Sequence, residues 1–356
     1  MKINWLDYKV GYVPLTPFMK GPGDRRRFVN YANNRNVSFE LADPNKFYDI
    51  VYLTYNCVLS DWIKYKQKYG DKTKIIFELV DSYFAEDVTY KSRLRGIANY
   101  ILRRTKKLYL DHRKALIELV SVADAIVCST LEQKTYILNY NDNVHVSLDI
   151  FEDDISTTKE EYAASKKLKL VWEGQPYTIG NILSLKSVLN ELKDKIELHI
   201  VTDKYYYKYY KKYFRKETSN ILKELKCDYF LHEWKINTFS KKICDADLAI
   251  IPINMEDNLA KGKPENKLIL FWKMGIPTIT SATPAYERVM RRSDLNMACS
   301  DINDWKFKLN DYINLSSIER KAIAEKASAY AYEVYSREQI YEDWDKLFSS
   351  VISISS

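Results

Sequence analysis

Short apolar runs alternate along the chain with longer amphipathic stretches. A parallel strand that is covered on both faces reads as a nearly continuous apolar run, whereas a helix repeats its apolar positions every three to four residues. The alternation of these two patterns is typical of parallel sheets that are covered by helices. The sequence therefore predicts an α/β fold.

The first half of the chain carries enough strand signals for one sheet. A first strand is expected within residues 3–13. The further elements are strands near residues 49–54, 74–80, 125–129 and 144–149, and helices near residues 60–69 and 91–120. Residues 156–165 then combine threonine with small and charged residues, which is the composition of a linker. This predicts a domain boundary near residue 158.

The second half repeats the alternation. The predicted strands lie near residues 168–172, 196–202, 229–232, 248–252, 278–281 and 297–300, and the predicted helices near residues 179–192, 238–244, 265–274, 304–313, 317–332 and 338–348, while residues 286–292 are left unassigned. This predicts a second doubly wound sheet. We expect domains at residues 1–158 and 159–330, and a C-terminal helix at residues 331–356 that crosses back to the first domain.

Composition and charge mainly exclude classes of protein and of site. No apolar run approaches the roughly 20 residues that cross a bilayer, and the start lacks the core of a signal peptide, so the cytoplasm or the inner membrane face is expected. Five cysteines without a CxxC pair and four dispersed histidines predict neither a disulfide framework nor a metal site. A net charge of +7 suits phosphate-bearing ligands but not a dedicated nucleic-acid binder.

Two of the nine glycines mark a candidate ligand loop. Gly21 and Gly23 follow the first predicted strand and precede a helix expected to begin near Asp24, which can cap it. Backbone can approach a ligand closely at glycine, and Arg25 and Arg26 can donate paired hydrogen bonds to a carboxylate or phosphate. We expect an acceptor-binding loop. The alternative is a solvated turn with a basic helix start.

Two carboxylates are candidate catalytic groups because each follows a predicted strand, where α/β sheets place their ligands. Asp81 can act as a base or orient an acceptor hydroxyl, unless it only caps the next turn with Ser82. Glu173 is followed by Gly174, which lets a phosphate or sugar approach the turn. A plain strand-to-helix turn is the alternative for this second position.

Residues 261–267 are the most informative segment. Pro264 can occupy a first helical turn, where its missing N–H is not needed, and the helix N-terminus would then present amides and a positive dipole to a diphosphate. Glu265 is expected at a solvent-reachable helix end, accepting hydrogen bonds from ribose or sugar hydroxyls. The candidate donor-binding residues are Gly174, Lys261, Lys263, Glu265, Asn266 and Lys267. Gly275 is predicted to end the helix.

The segment just described resembles the donor domain of nucleotide-sugar glycosyltransferases of the GT-B fold, in particular the large retaining group. Its proline- and lysine-containing helix start is followed by a Gly-x-Pro-x-Ile strand, and residues 198–203 and 246–252 are similar to the strands that precede it in that family. The family often has a glutamate where this sequence has Leu270. Its frequent catalytic histidine has no clear counterpart here unless Asp81 takes that place.

The resemblance implies two Rossmann-like doubly wound domains facing across a cleft, with C-terminal helices packing back on the first domain. It implies a metal-independent, hexosyltransferase-like enzyme without a cofactor, which moves a sugar from a UDP- or GDP-sugar to a glycan or lipid-linked acceptor in bacterial-type surface polysaccharide assembly. The alternatives are a non-catalytic nucleotide-sugar or carbohydrate binding protein of the same fold and a sugar-nucleotide epimerase.

Tyr205 to Lys216 form the densest basic and aromatic run of the chain. Such a surface can lie at an anionic lipid interface, where a lipid-linked acceptor would be met. The alternative is a solvated, tyrosine-covered helix.

Overall fold

Two six-stranded parallel sheets, one in each half of the chain, organise the computed structural model of the protein. The structure describes residues 3–82, 84, 112–163, 166–207 and 215–352. The chain divides into a first unit of Met1–Ile150, Gly262–Pro264 and Arg337–Ser356, and a second unit of Phe151–Lys261 and Glu265–Ser336. The predicted α/β class with two doubly wound sheets is confirmed. The predicted domain bounds stay predictions.

The sheet of the first unit has the strand order β2-β1-β3-β4-β5-β6. Its strands are β1 Val10–Val13, β2 Phe39–Leu41, β3 Ile50–Thr54, β4 Lys74–Leu79, β5 Ala125–Cys128 and β6 Val144–Val146. Every residue of β3, β4 and β5 is buried, which explains their mainly apolar sequence, although β4 also buries the charged Lys74 and Glu78. The chain runs from β1 to β2 on one side and to β3 on the other, so the order reverses between β1 and β3.

The helices of the first unit are Pro22–Arg25, Phe28–Arg35, Leu59–Tyr69, His112–Val122, Leu131–Ile137 and Arg337–Ile352. Of the helix predicted at residues 91–120, the part before residue 112 lies outside the described residues. The last helix confirms the prediction that the C-terminal end of the chain packs back on the first unit. It buries Trp344, Leu347 and Phe348, and the Phe348 ring meets the Trp5 ring edge to face at 4.8 Å.

The sheet of the second unit has the order β11-β8-β7-β12-β13-β14. Its strands are β7 Leu168–Glu173, β8 Ile196–Thr202, β11 Asp228–Glu233, β12 Leu248–Ile251, β13 Thr278–Ser281 and β14 Ala298–Cys299. Successive strands run outward from β7 on one side and from β12 on the other, as in the dinucleotide-binding order 3-2-1-4-5-6. The order therefore reverses between β7 and β12.

The helices of the second unit are Gly180–Leu183, Lys186–Glu191, Ser219–Leu222, Phe239–Cys244, Asn258–Lys261, Asn266–Lys273, Pro284–Arg292, Ile302–Asn314 and Ser317–Val334. The helix predicted at residues 179–192 is thus interrupted. Gly275 ends its helix as predicted, with a left-handed φ of 75° that glycine adopts without strain. All five cysteines are free and buried.

The basic aromatic run is not a helix at its described ends. Strand β9, Tyr205–Tyr207, pairs antiparallel with strand β10, Arg215–Glu217, so the run leaves β8 as a hairpin whose central residues lie outside the described part of the chain. Tyrosine favours strands, which explains the difference from the helical alternative. Across the residues that the structure describes, no helix has the length and apolar character needed to cross a membrane.

Candidate functional site

The two sheets each offer a crevice at the carboxyl end of their strands, where the strand order reverses and α/β proteins bind their ligands. In the second unit this position lies between the loops that follow β7 and β12. In the first unit it lies between the loops that follow β1 and β3. The candidate residues predicted from the sequence fall on three of these four loops or on the elements next to them, with Asp81 one strand further on.

Lys267 joins the two loops of the second unit. It lies in the first turn of the helix Asn266–Lys273 that follows β12, and its ammonium donates a hydrogen bond to the main-chain carbonyl of Glu173 at the end of β7. The same nitrogen lies 3.3 Å from the Glu173 carboxylate and 5.5 Å from the centroid of the Trp172 ring. The lysine side chain is 30% exposed, so its charge is partly accessible from solvent.

Gly174 makes room for this lysine. A Cβ atom at this position would lie 2.8 Å from the Trp172 ring and 3.1 Å from the Lys267 ammonium. Any larger residue would therefore displace the ring or the ammonium. The sequence predicted that glycine admits a ligand here, and the geometry adds that it admits the cation that would bind the ligand. Donor contact by Gly174 stays a prediction.

Glu265 is buried, which corrects the expectation of a solvent-reachable carboxylate. It is 6% exposed, accepts a hydrogen bond of 3.3 Å from the Tyr335 hydroxyl, and lies 3.9 Å from the Arg288 guanidinium. Burial, followed by the charge of Glu265, raises the pKa of Tyr335, so the phenol stays a donor. Neither partner was recognised from the sequence because Arg288 and Tyr335 follow much later in the chain.

The other candidate donor residues are more accessible. Lys261 is exposed at the end of helix Asn258–Lys261, and Lys263 and Asn266 are half-buried. The segment that contains Lys263 is grouped with the first unit, where the carbonyl of its Gly262 accepts a hydrogen bond of 2.9 Å from the Ser82 hydroxyl. This segment therefore lies at the loop that follows β4.

In the first unit, the loop after β1 is organised by a buried carboxylate. Asp24 accepts hydrogen bonds from the Tyr12 hydroxyl at 2.6 Å, from the Leu15 amide at 2.7 Å and from the Thr16 amide at 3.0 Å, and the Thr16 hydroxyl also donates to it. The expectation that Asp24 caps a helix is wrong. The helix begins at Pro22 with Gly21 in the capping position, and Asp24 points back into the preceding loop.

The glycines of this loop let it fold against itself. A Cβ atom at Gly21 would lie 2.5 Å from the Thr16 methyl group, and one at Gly23 would collide with the Leu15 side chain. Phe18 and Met19 have φ values of 63° and 56°, a left-handed conformation that costs about 1 to 3 kcal/mol for each non-glycine residue. The loop thus holds one strained shape.

A buried ion cluster lies beneath the same loop. The Arg27 side chain is fully buried and its guanidinium lies 2.5 Å from Glu78 and 3.1 Å from Asp149. Its sequence signal was the charge of Glu78 inside an apolar strand, which requires a partner. Arg25 and Arg26 are half-buried, and Arg26 lies 3.9 Å from Asp149.

Asp81 is exposed in the bend that follows β4. Strand β3 separates β4 from β1, so the ends of β4 and of β1 are about 10 Å apart at the usual strand spacing. The structure therefore brings Asp81 and the Gly21 loop to the same edge of the sheet. Their roles toward an acceptor stay predictions. Among the described residues, no three His, Cys, Asp or Glu side chains are grouped to hold a metal ion.

No protein-family model matches the sequence, and no curated protein is significantly similar to it. Solved structures share its fold. TarM gives a TM-score of 0.59 at 14% identity over 84% of this chain and 54% of TarM, so the chain spans about half the length of that protein. HepE from Anabaena, solved in complex with UDP, gives a TM-score of 0.62 at 10% identity over 96% of this chain and 100% of that one.

A third structure, a glycosyltransferase from Rickettsia africae, gives a TM-score of 0.60 at 10% identity over 97% of this chain and 98% of that one. TarM from S. aureus has also been solved in complex with fondaparinux, α-GlcNAc-glycerol and UDP. At these identities the likeness establishes the fold. The chain has the GT-B fold of nucleotide-sugar glycosyltransferases, as the resemblance in its sequence predicted.

Proposed function

We propose that the protein is a glycosyltransferase whose second unit binds the diphosphate of a nucleotide-sugar donor at the reversal between β7 and β12. The observation that carries this proposal is the position of Lys267, whose ammonium reaches from the loop after β12 to the end of β7. A cation at this point meets a diphosphate where the fold presents its crevice. UDP in the related HepE structure supports a UDP-sugar as the first donor to test.

The reaction needs positively charged groups next to the leaving diphosphate and a proton acceptor for the attacking hydroxyl. As the bond between the anomeric carbon and the phosphate oxygen breaks, Lys267 and the backbone amides at the start of helix Asn266–Lys273 stabilise the charge that collects on the diphosphate. These groups supply the role that a metal ion has in other transferases, so we propose a metal-independent reaction. The acceptor oxygen forms the new bond and gives up its proton.

Asp81 is the proposed acceptor of that proton, and Glu173 is the second carboxylate at the reacting centre. Asp81 is exposed at the carboxyl edge of the first sheet, on the side of the strands where the fold binds ligands. The acceptor is a glycan or a lipid-linked glycan, which we propose is used in surface polysaccharide assembly. Arg25 and Arg26 flank its proposed loop.

We further propose that the hairpin β9–β10 contacts an anionic membrane surface from the cytoplasmic side, where a lipid-linked acceptor would lie. Tyr205 is 42% exposed, and the Arg215 guanidinium stacks over its ring at 3.6 Å. Lys216 adds a second exposed cation. An aromatic ring and cations together suit the headgroup region of a membrane.

The proposal is tested with purified protein, UDP- and GDP-sugars and an acceptor panel. Binding of a donor raises the melting temperature, and turnover releases the nucleoside diphosphate. Asp81→Asn should lower turnover by about 100-fold while donor affinity stays unchanged, because the lost interaction forms mainly in the transition state. A protein that binds no nucleotide sugar contradicts the proposal. Release of an isomerised free sugar nucleotide would instead indicate an epimerase.

A further inference from the structure

We propose that Phe18 is a platform on which a sugar ring of the acceptor packs. The phenylalanine lies in the loop that follows β1, one side of the crevice between β1 and β3. Its aromatic side chain is 85% exposed, so both faces of the ring are accessible to a ligand. This inference rests on the proposed function, since it names the group that meets the acceptor.

The backbone of Phe18 is strained, and the strain is held in place by buried contacts. Phe18 and Met19 both have positive φ, which bulky residues rarely adopt. The residues before them are fixed by Asp24, and the Thr16 hydroxyl accepts a hydrogen bond of 2.9 Å from the Gly21 amide across the loop. A loop that is over-determined in this way fixes the backbone from which the Phe18 ring projects. A mere solvent-exposed turn needs no such arrangement.

The exposed aromatic surface of this loop is a single ring, and the neighbouring exposed apolar residue, Pro17, is small. Met19 turns inward and packs partly buried against the core of the first unit, while Lys20 is exposed and polar. A loop that inserts into a membrane would present several apolar side chains together. One aromatic face next to polar groups fits instead the C–H face of one pyranose ring, whose hydroxyls remain in water.

The test compares Phe18→Ala, Phe18→Trp and Phe18→Gly with the wild-type chain. Binding to an array of immobilised oligosaccharides reports the acceptor side, calorimetry with UDP reports the donor side, and thermal unfolding reports stability. Leu6→Ala is the matched control, because it removes an apolar side chain that is 91% exposed in the same unit.

We expect Phe18→Ala to weaken oligosaccharide binding at least about fivefold and Phe18→Trp to retain it, with UDP affinity unchanged in both. Phe18→Gly should also lose oligosaccharide binding, yet its melting temperature should equal or exceed that of the wild type, because glycine relieves the left-handed strain. Leu6→Ala should bind oligosaccharides as the wild type does. A ring that only supports the fold would lower the melting temperature on removal.

Several results would overturn the proposal. Equal oligosaccharide binding by Phe18→Ala and wild type removes Phe18 from the site. A loss of UDP affinity in Phe18→Ala assigns the ring to the donor. If Phe18→Ala instead binds oligosaccharides normally but loses binding to anionic lipid vesicles, measured in parallel, the ring is assigned to lipid. A wild-type chain that binds UDP but no oligosaccharide contradicts the platform while leaving the donor site in place. A chain that binds neither UDP nor GDP contradicts the proposed function itself.

Discussion

Besides its proposed ligand, the Lys267 side chain contacts the Glu173 carbonyl, the Trp172 ring and an ion-pair partner at the end of β7, so replacing it by alanine tests the donor site directly. The partner is Glu173, and the two side chains are 30% and 17% exposed, so their ion pair contributes at most about 1 kcal/mol to folding. The variant should therefore remain folded. A charged hydrogen bond to the diphosphate is worth about 1.5 to 3 kcal/mol, so the dissociation constant for UDP should rise roughly 10- to 150-fold.

Replacing the neighbouring carboxylate of Glu173 should change UDP affinity in the opposite direction. Glu173 lies 3.3 Å from the ammonium and competes with a diphosphate for it. In Glu173→Gln the main-chain carbonyl still holds Lys267, while the negative charge is gone. UDP binding should become tighter by up to about fivefold, the equivalent of about 1 kcal/mol. If Glu173 also takes part in the reaction, turnover should fall in the same variant although the nucleotide binds more tightly.

Isothermal titration calorimetry with UDP at low and moderate salt measures both effects. The salt dependence should be smaller for Lys267→Ala than for the wild type, since one of the screened interactions is absent. Lys241→Ala is the control, because it removes an exposed lysine of the same unit from helix Phe239–Cys244. Unchanged UDP affinity in Lys267→Ala, or weaker binding in Glu173→Gln, would refute the assignment of this crevice to the diphosphate.

Three further predictions concern stability and the membrane. Trp344→Ala should destabilise the first unit by about 3 to 5 kcal/mol, because the ring is fully buried, and urea unfolding checks this. Burial lowers the pKa of His145 below its usual 6.5, so the folded protein binds fewer protons than the unfolded one between the two values, and stability should fall as the pH drops below about 6.5. Melting temperatures at pH 7.5 and 5.5 should differ less in His145→Asn than in the wild type, and an equal difference would contradict this cause. Liposome binding through the hairpin should rise with anionic lipid and fall with salt, whereas equal binding to neutral vesicles would count against the membrane surface.

The central strands could be predicted because burial on both faces leaves a nearly uninterrupted apolar run, as in β3, β5 and β12. Strand β2 was missed because it is a short edge strand whose residues Glu40 and Leu41 are exposed, so its sequence carries no such signal. The helix Asn266–Lys273 and its terminating Gly275 were predicted to within one residue, since glycine acts locally on the backbone, but Pro264 precedes the helix and does not occupy its first turn as expected.

The site was less accessible to sequence reasoning because its contacts are not local. That Lys267 lies at the end of β7 follows from the topology, and the sequence showed only that both positions face a ligand edge. The inward turn of Glu265 depends on Tyr335, which is seventy residues later. The sequence allows two roles for Asp24, because a carboxylate near a helix start can cap the helix or accept hydrogen bonds from the loop before it. In the structure it accepts them from the amides of the loop.

The return of helix Arg337–Ile352 to the first unit has a consequence for the order in which the protein is made. Its rings complete an aromatic cluster that includes Trp5, near the start of the chain. During synthesis the ribosome produces nearly the whole second unit before this helix. Until then, the face of the first sheet that the helix covers stays exposed. Domains usually fold in the order of their synthesis. Here the second unit can finish first, and the nascent first unit is the part that a chaperone would have to shield.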